Sequence, residues 1–117
     1  MKILVIGLGN FGSTLAIKLS AMGHEVMGVD KVRHRTEAVK DLVDTVISMD
    51  IAERAAIEQL PVSEMDIVIV AIGEHIGNNV IVTSLLKDAG AKTIICRAIS
   101  EPHYSILSRI GVDKIIT

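Results

Sequence analysis

Lys2-Ile-Leu-Val-Ile6 followed without interruption by Gly7-Leu8-Gly9-Asn10-Phe11-Gly12 is the stretch on which the fold turns. The first five residues are a nearly continuous apolar run of β-formers, the pattern of a strand buried on both faces. Three glycines then punctuate the exit, and from Asn10 to Met22 the apolar positions Phe11, Leu15, Ala16, Leu19 and Met22 fall on one helical stripe ended by Gly23. Each glycine has a mechanical reason. Gly7 permits a tight turn, Gly9 lets the backbone approach a ligand closely, and Gly12 allows the new helix to lie against the strand.

The same alternation continues along the chain. Glu25-Val-Met-Gly-Val29 reads as a second strand ending at Asp30, followed by a more polar helix over about 33–43 with Ala38, Val39, Leu42 and Val43 inward. Thr45–Ser48 is a third strand, and a short helix over about 52–60 is stopped by Pro61. Asp66–Ala71 is the clearest strand, followed by a helix from Ile76 to Asp88. Thr93–Arg97, a helix capped by Ser100 with Pro102 in its first turn, and Asp113–Ile116 complete the series. Strand and helix repeated in this way predict an α/β fold: a doubly wound, parallel, six-stranded sheet of Rossmann type in the order 3-2-1-4-5-6. The 117 residues form one such unit without a linker.

Bulk properties narrow the class. Net charge is −2 with both signs dispersed, so the basic footprint of a nucleic-acid binder is missing. Phe11 and Tyr104 are the only aromatics, which leaves the core to Ile, Val, Leu, Ala and Met. The longest apolar runs, such as Ile67–Ile72, fall well short of the roughly 20 residues that cross a bilayer, so no membrane insertion of these residues is expected. Cys96 is the single cysteine and fits a reducing, cytoplasmic setting; in its strand it reads as a small buried hydrophobe. His24 falls in a turn, and His34 and His103 on helix faces, with no metal-ligand spacing among them.

A glycine turn between a first strand and a first helix aims backbone N–H groups and the positive helix end at a diphosphate. Asp30, 18 residues beyond Gly12 at the end of the next strand, stands where a carboxylate accepts from ribose hydroxyls. Its charge disfavours a 2′-phosphate and so favours NAD or an adenine nucleotide over NADP, with Arg33 and Arg35 pulling weakly the other way. Ligands in such sheets sit outside the carboxyl ends of the strands. The candidate cofactor-binding residues there are Gly7, Leu8, Gly9, Asn10, Phe11, Gly12, Asp30, Lys31, Asp50, Ile51, Ala71, Ile72, Gly73, Glu74 and Arg97. Asp50 is placed to contact adenine or to cap the helix after it. Ala71-Ile72-Gly73 offers an open backbone where a ligand would cross, or a tight turn only. Glu74 with His75 reads either as a catalytic pair or as a helix-start acid on the surface. Arg97 is set for a phosphate or an acidic neighbour, or simply reaches solvent. The helix from Ile76 is apolar on more than one face (Ile76, Val80, Ile81, Val82, Leu85, Leu86), which points to a subunit interface.

Taken together, Val5-Ile-Gly-Leu-Gly-Asn-Phe-Gly12, Met22-Gly-His-Glu-Val26, Val29-Asp30, Ile67-Val-Ile-Val-Ala-Ile-Gly73 and Ile110-Gly-Val-Asp-Lys-Ile-Ile116 resemble the N-terminal lobe of regulator-of-potassium-conductance domains, also called KTN or TrkA-N domains. The resemblance covers essentially the whole chain. It implies a cytoplasmic, non-enzymatic regulatory lobe, peripheral to the membrane. Such a lobe forms a homodimer or a higher ring-like homo-oligomer that gates a potassium channel or transporter subunit when NAD, NADH, ATP or ADP binds. By position, Gly7, Gly9 and Gly12 would hold the phosphates, Asp30 the ribose, and Asp50 with Ala71 to Gly73 the rest of the adenosine. Many ATP-responsive members carry arginine where this chain has Asn10, which shifts the expectation toward NAD or NADH. The family's second lobe lies beyond the point where this sequence stops. The rival reading is the cofactor domain of an NAD-dependent oxidoreductase, although the chain offers no persuasive catalytic set.

Overall fold

β1 (Lys2–Ile6) runs through the centre of the molecule, with Lys2 exposed and Ile3 to Ile6 fully covered. In the computed structural model, which describes residues 1–117, β1 is followed by α1 (Asn10–Ala21), β2 (Glu25–Asp30), α2 (Arg33–Val39) and β3 (Thr45–Ser48). Then come α3 (Arg54–Ile57), a 3-10 turn (Val62–Glu64), β4 (Ile67–Val70), α4 (Ile76–Asp88), β5 (Ile94–Arg97), α5 (Glu101–Ile110) and β6 (Lys114–Ile116). All adjacent strands are parallel, in the order β3-β2-β1-β4-β5-β6. The doubly wound sheet expected from the sequence is the one observed.

Period-two alternation sorts the strand residues between two layers. Ile3 and Val5 of β1, Val26 of β2 and Ile69 of β4 pack with Ala16 of α1 and Val39 of α2. Leu4 and Ile6 point the other way, joining Val68, Val70, Ile94 and Cys96 against Ile57, Val82, Leu86 and Leu107 of α3 to α5. Each fully buried aliphatic side chain contributes about 1.5–3 kcal/mol, so both layers are needed to hold a sheet of this size. No helix is long and apolar enough to cross a membrane.

The amino edge of the sheet has its own polar stitching. Asp44, Asp66 and Asp113, each just before a strand, accept the N–H of Val26, Lys2 and Ile94 in the neighbouring strand at 2.8, 2.7 and 2.7 Å.

Several local expectations change. α2 ends at Val39, after which the chain turns with Leu42 N–H donating to Val39 O. The helical period is lost there: Val39 and Val43 are buried, but Ala38 and Leu42 face solvent, Leu42 at 56%. Met22 is the C-cap of α1 rather than a member of its stripe, and is 71% exposed. The helix expected over 52–60 shrinks to α3, yet Ile57 at its end, and Ile51 and Leu60 in the flanking turns, still reach the core.

Candidate functional site

The carboxyl ends of β1, β2, β3 and β4 converge on a cleft whose floor is the glycine turn. Gly7 has φ +94°, donates its N–H to Val29 O at 2.8 Å, and lies so near β4 that a Cβ would stand 2.9 Å from the Ala71 carbonyl carbon. Gly12 is tighter: a Cβ there would fall 1.7 Å from Gly7 O, so the first turn of α1 rests directly on the turn before it. Gly9 is open, with nothing nearer to an added Cβ than Arg35 Nη1 and Glu74 Oε1, both at 3.8 Å. Gly9 is also the N-cap of α1 and contributes no side-chain capping bond. The positive end of the helix therefore faces an accessible backbone, which suits an anion.

Asp30 does more than the sequence spacing shows. It is 7% exposed, and its Oδ2 accepts the Leu8 N–H while Oδ1 accepts the Val32 N–H, each at 2.7 Å. The carboxylate ties the glycine turn to the start of α2. Each oxygen keeps a lone pair beyond these bonds, and Oδ2 also faces Arg35 at 3.6 Å. Asp30→Ala should consequently cost about 2 kcal/mol of stability without any ligand, because two backbone donors lose their acceptor. Urea unfolding of the ligand-free variant checks this; an unchanged midpoint would leave Asp30 with no structural role.

Arg35 joins this acid to the opposite wall. Its Nη1 lies 2.6 Å from Glu74 Oε1 and 3.6 Å from Asp30 Oδ2. The hydrogen bond from Arg35 holds the Glu74 carboxyl below the ordinary carboxylate range, and the Glu74 partner in turn raises the guanidinium. The two side chains are 31% and 49% exposed, so solvent screens the pair and it contributes only about 0–1 kcal/mol. Glu74 was expected as a helix-start acid or part of a catalytic pair. The N-cap of α4 is His75, without a side-chain capping bond, and Glu74 is instead half of this ion pair.

Between these walls lies a cleft enclosing about 770 Å³, part of it open to solvent. Val29, Met49, Ile51 and Ile72 supply apolar surface; Asp30, Lys31, Arg35, Asp50, Glu74, His75 and Asn78 supply the polar rim. Of the expected residues, Gly7, Asp30, Lys31, Asp50, Ile51, Ile72 and Glu74 line this cleft, while Leu8, Gly9 and Asn10 line a second, shallower one beside it, which Glu74 also borders. Gly12 and buried Ala71 act beneath the surface as packing partners of the turn. Gly73 is exposed, with open space around it. Asp50 closes a turn by accepting the Ala52 N–H at 3.1 Å; it does not cap α3, whose N-cap is Glu53. Arg97 lines neither cleft. Its guanidinium stacks 4.7 Å from the centroid of the Phe11 ring.

A buried polar network behind the cleft is legible only in three dimensions. His103, expected on a helix face, is completely buried, as are Asn79, Thr83 and Cys96. His103 Nδ1 accepts the Ile99 N–H at 3.1 Å, which places the ring proton on Nε2, 2.9 Å from Asn79 Oδ1. Cys96 Sγ donates to the same oxygen at 3.2 Å, and Thr83 Oγ1 donates to Asn79 O at 2.7 Å. Asn79 Nδ2 donates to Ile72 O at 3.0 Å, which fixes the carbonyl of a residue in the cleft wall. Burial lowers the His103 pKa and raises that of the Cys96 thiol. The available sequence signal was Asn79 and Thr83 four apart among Val80, Val82 and Leu86, a spacing that puts both on one face.

Comparison with known proteins now bears on this geometry. The sequence profile of the TrkA-N domain matches residues 3–117. The chain belongs to the TrkA-N domain family. This TrkA-N domain is 35% identical over 112 residues to the Ktr system potassium uptake protein C of Bacillus subtilis (strain 168), covering 96% of this chain and 51% of that protein. The chain thus spans about half the length of the curated relatives it matches. Among solved structures, the GsuK channel bound to NAD superposes with a TM-score of 0.85 at 16% identity, covering 98% of this chain and 21% of that one. The Shewanella denitrificans Kef C-terminal domain in its AMP-bound form superposes at 0.77 and 22% identity, covering 98% and 70%. At those identities the likeness establishes a shared fold.

Proposed function

We propose that this TrkA-N domain binds an adenosine nucleotide, NAD or NADH first and ADP or ATP second, and that occupancy biases an assembly regulating a membrane potassium channel or transporter. The observation that carries this reading is the accessible Gly9 backbone at the start of α1, with Asp30 fixed one strand away by Leu8 and Val32. A diphosphate suits the first and a ribose the second. The relative named for potassium uptake and the NAD-bound and AMP-bound structures of the same fold support it. Position 10 is the uncharged Asn10, and the nearby cation Arg35 is paired with Glu74, which favours NAD or NADH over a ligand with a terminal phosphate.

Regulation requires that the nucleotide bind one arrangement of the assembly better than another. The assembly we propose is a homodimer or larger ring on the cytoplasmic side of the membrane, of which this chain forms one lobe. No catalysis is assigned: the Glu74 carboxylate is paired with Arg35 and not with the adjacent His75.

A thermal-shift panel of NAD, NADH, NADP, ADP and ATP tests the ligand. At a hundredfold excess over Kd the ligand adds about 2.7 kcal/mol, a rise in Tm on the order of 10 °C. No shift with any nucleotide would overturn the reading, a shift with NADP alone would overturn the account of Asp30, and turnover of any substrate with NADH would favour an oxidoreductase. For the assembly, Leu85 is half-buried against the core, whereas Ile81 on the outer face of α4 is 48% exposed. Ile81→Glu should therefore lower the mass measured by light scattering while leaving the fold intact; an unchanged mass would remove α4 as a contact surface.

A further inference from the structure

Arg35 and Glu74 are the two residues common to the apolar-walled cleft and the second one beside it. Their ion pair is the partition between the apolar pocket of Val29, Met49 and Ile51 and the space over Leu8, Gly9 and Asn10. It also stands directly above Gly9, whose added Cβ would lie 3.8 Å from both Arg35 Nη1 and Glu74 Oε1. A phosphate approaching the start of α1 from the apolar-walled cleft meets this pair first.

The two carboxylates facing Arg35 are held very differently. Asp30 is buried and bonded to two backbone N–H groups. Glu74 is half exposed, on the loop leading into α4, with Arg35 as its side-chain partner. Asp30 is sealed from solvent, whereas Glu74, which also has the Gly73 and Glu74 N–H groups beside its carboxylate, is open to it.

We infer that Arg35 selects for phosphate on the bound nucleotide and that Glu74 is a displaceable competitor, leaving the guanidinium when phosphate arrives. The inference rests on the nucleotide reading above and adds the residue that sets selectivity. A phosphate offers the guanidinium fork two anionic oxygens, so the exchange replaces the single Nη1–Oε1 contact with a charge-assisted one able to engage both prongs. Asp30 stays in place beneath the fork and keeps it aimed. Ligands lacking phosphate leave the ion pair untouched and gain nothing from Arg35. Lys31 on the rim adds a general attraction that does not depend on Glu74.

A double-mutant cycle on ADP binding, measured by calorimetry at fixed salt with adenosine as the control, tests this. Glu74→Gln should tighten ADP on the order of tenfold, and Arg35→Gln should weaken it by a similar factor. In the Arg35→Gln background, Glu74→Gln should change the ADP Kd by less than about threefold, because the competition it relieves no longer exists. Adenosine affinity should hold within about twofold throughout. Arg35→Lys, which keeps the charge but not the fork, should fall between wild type and Arg35→Gln, and stands in should Arg35→Gln fail to fold.

An equal effect of Glu74→Gln in both backgrounds would reduce Glu74 to simple repulsion and overturn the inference. So would an adenosine response as large as that of ADP. If the unmodified protein binds no nucleotide, both the inference and the nucleotide reading fall; if it binds ADP and the cycle is additive, the inference alone is lost.

Discussion

Replacing Gly12 with alanine is expected to cost about 4 kcal/mol or more, a large share of the roughly 5–15 kcal/mol that holds a domain of this size together. The added methyl would fall 1.7 Å from Gly7 O, against backbone and not against a flexible side chain. Relief would require α1 to lift from the turn. That movement would pull Ala16 of α1 out of its fully buried place against the sheet and disturb Gly7, already held between Val29 O and Ala71. Urea unfolding followed by circular dichroism should show an unfolded chain or a collapsed midpoint. Gly9→Ala is the informative contrast. Its backbone is extended (φ −70°, ψ −164°) and its nearest neighbours are the tips of two long side chains. Stability should stay within about 1 kcal/mol of wild type, while affinity for NAD falls about tenfold as the methyl enters the space over the helix start. A Gly12→Ala chain as stable as wild type would refute the close packing of α1 on the turn.

The second large effect lies behind the cleft. Asn79→Ala removes the partner of His103 Nε2–H, Cys96 S–H and Ile72 C=O together, and should destabilise the protein by about 3 kcal/mol. The same network makes stability depend on pH through His103. Its folded pKa is depressed by burial, so the unfolded chain binds the proton more readily than the native one. The associated stability is complete above the unfolded value near 6.5 and is lost as pH falls through the lower folded value, at up to about 1.4 kcal/mol per pH unit. Denaturation midpoints taken between pH 7.5 and 5.5 should fall in wild type and flatten in His103→Gln. The comparison with His103→Gln isolates this residue from His24, His34, His75 and the carboxylates. A wild-type midpoint constant over that range would show that His103 is not held neutral by its surroundings.

Much of the fold was legible because it is written in local patterns. The apolar run of Lys2–Ile6 and the clean run of Ile67–Val70 identify central strands whatever their neighbours do. Ser100 caps α5 as expected, accepting the His103 N–H at 3.2 Å, since a cap needs only residues three positions apart. Expectations failed where a helix ended early. Beyond Val39 and Ala21 nothing in the local periodicity says that the chain has turned, so Leu42 and Met22 were assigned inward positions they do not hold. The site was half legible for the same reason. Glycine spacing and the place of Asp30 follow from strand and helix lengths, whereas the partners of Glu74 and His103 lie 39 and 24 residues away.

By itself, then, the sequence determined the order of elements, the parallel sheet, the glycine turn and the acid one strand beyond it, because each depends on contacts between near neighbours or on a fixed period. Only the tertiary structure decided that Asp30 is also a structural anchor, that Arg35 and Glu74 meet over Gly9, and that an asparagine, a histidine and a cysteine satisfy one another inside the core. Those outcomes join residues from separate elements, and which polar groups pair is settled by what remains within hydrogen-bond reach once the sheet has closed.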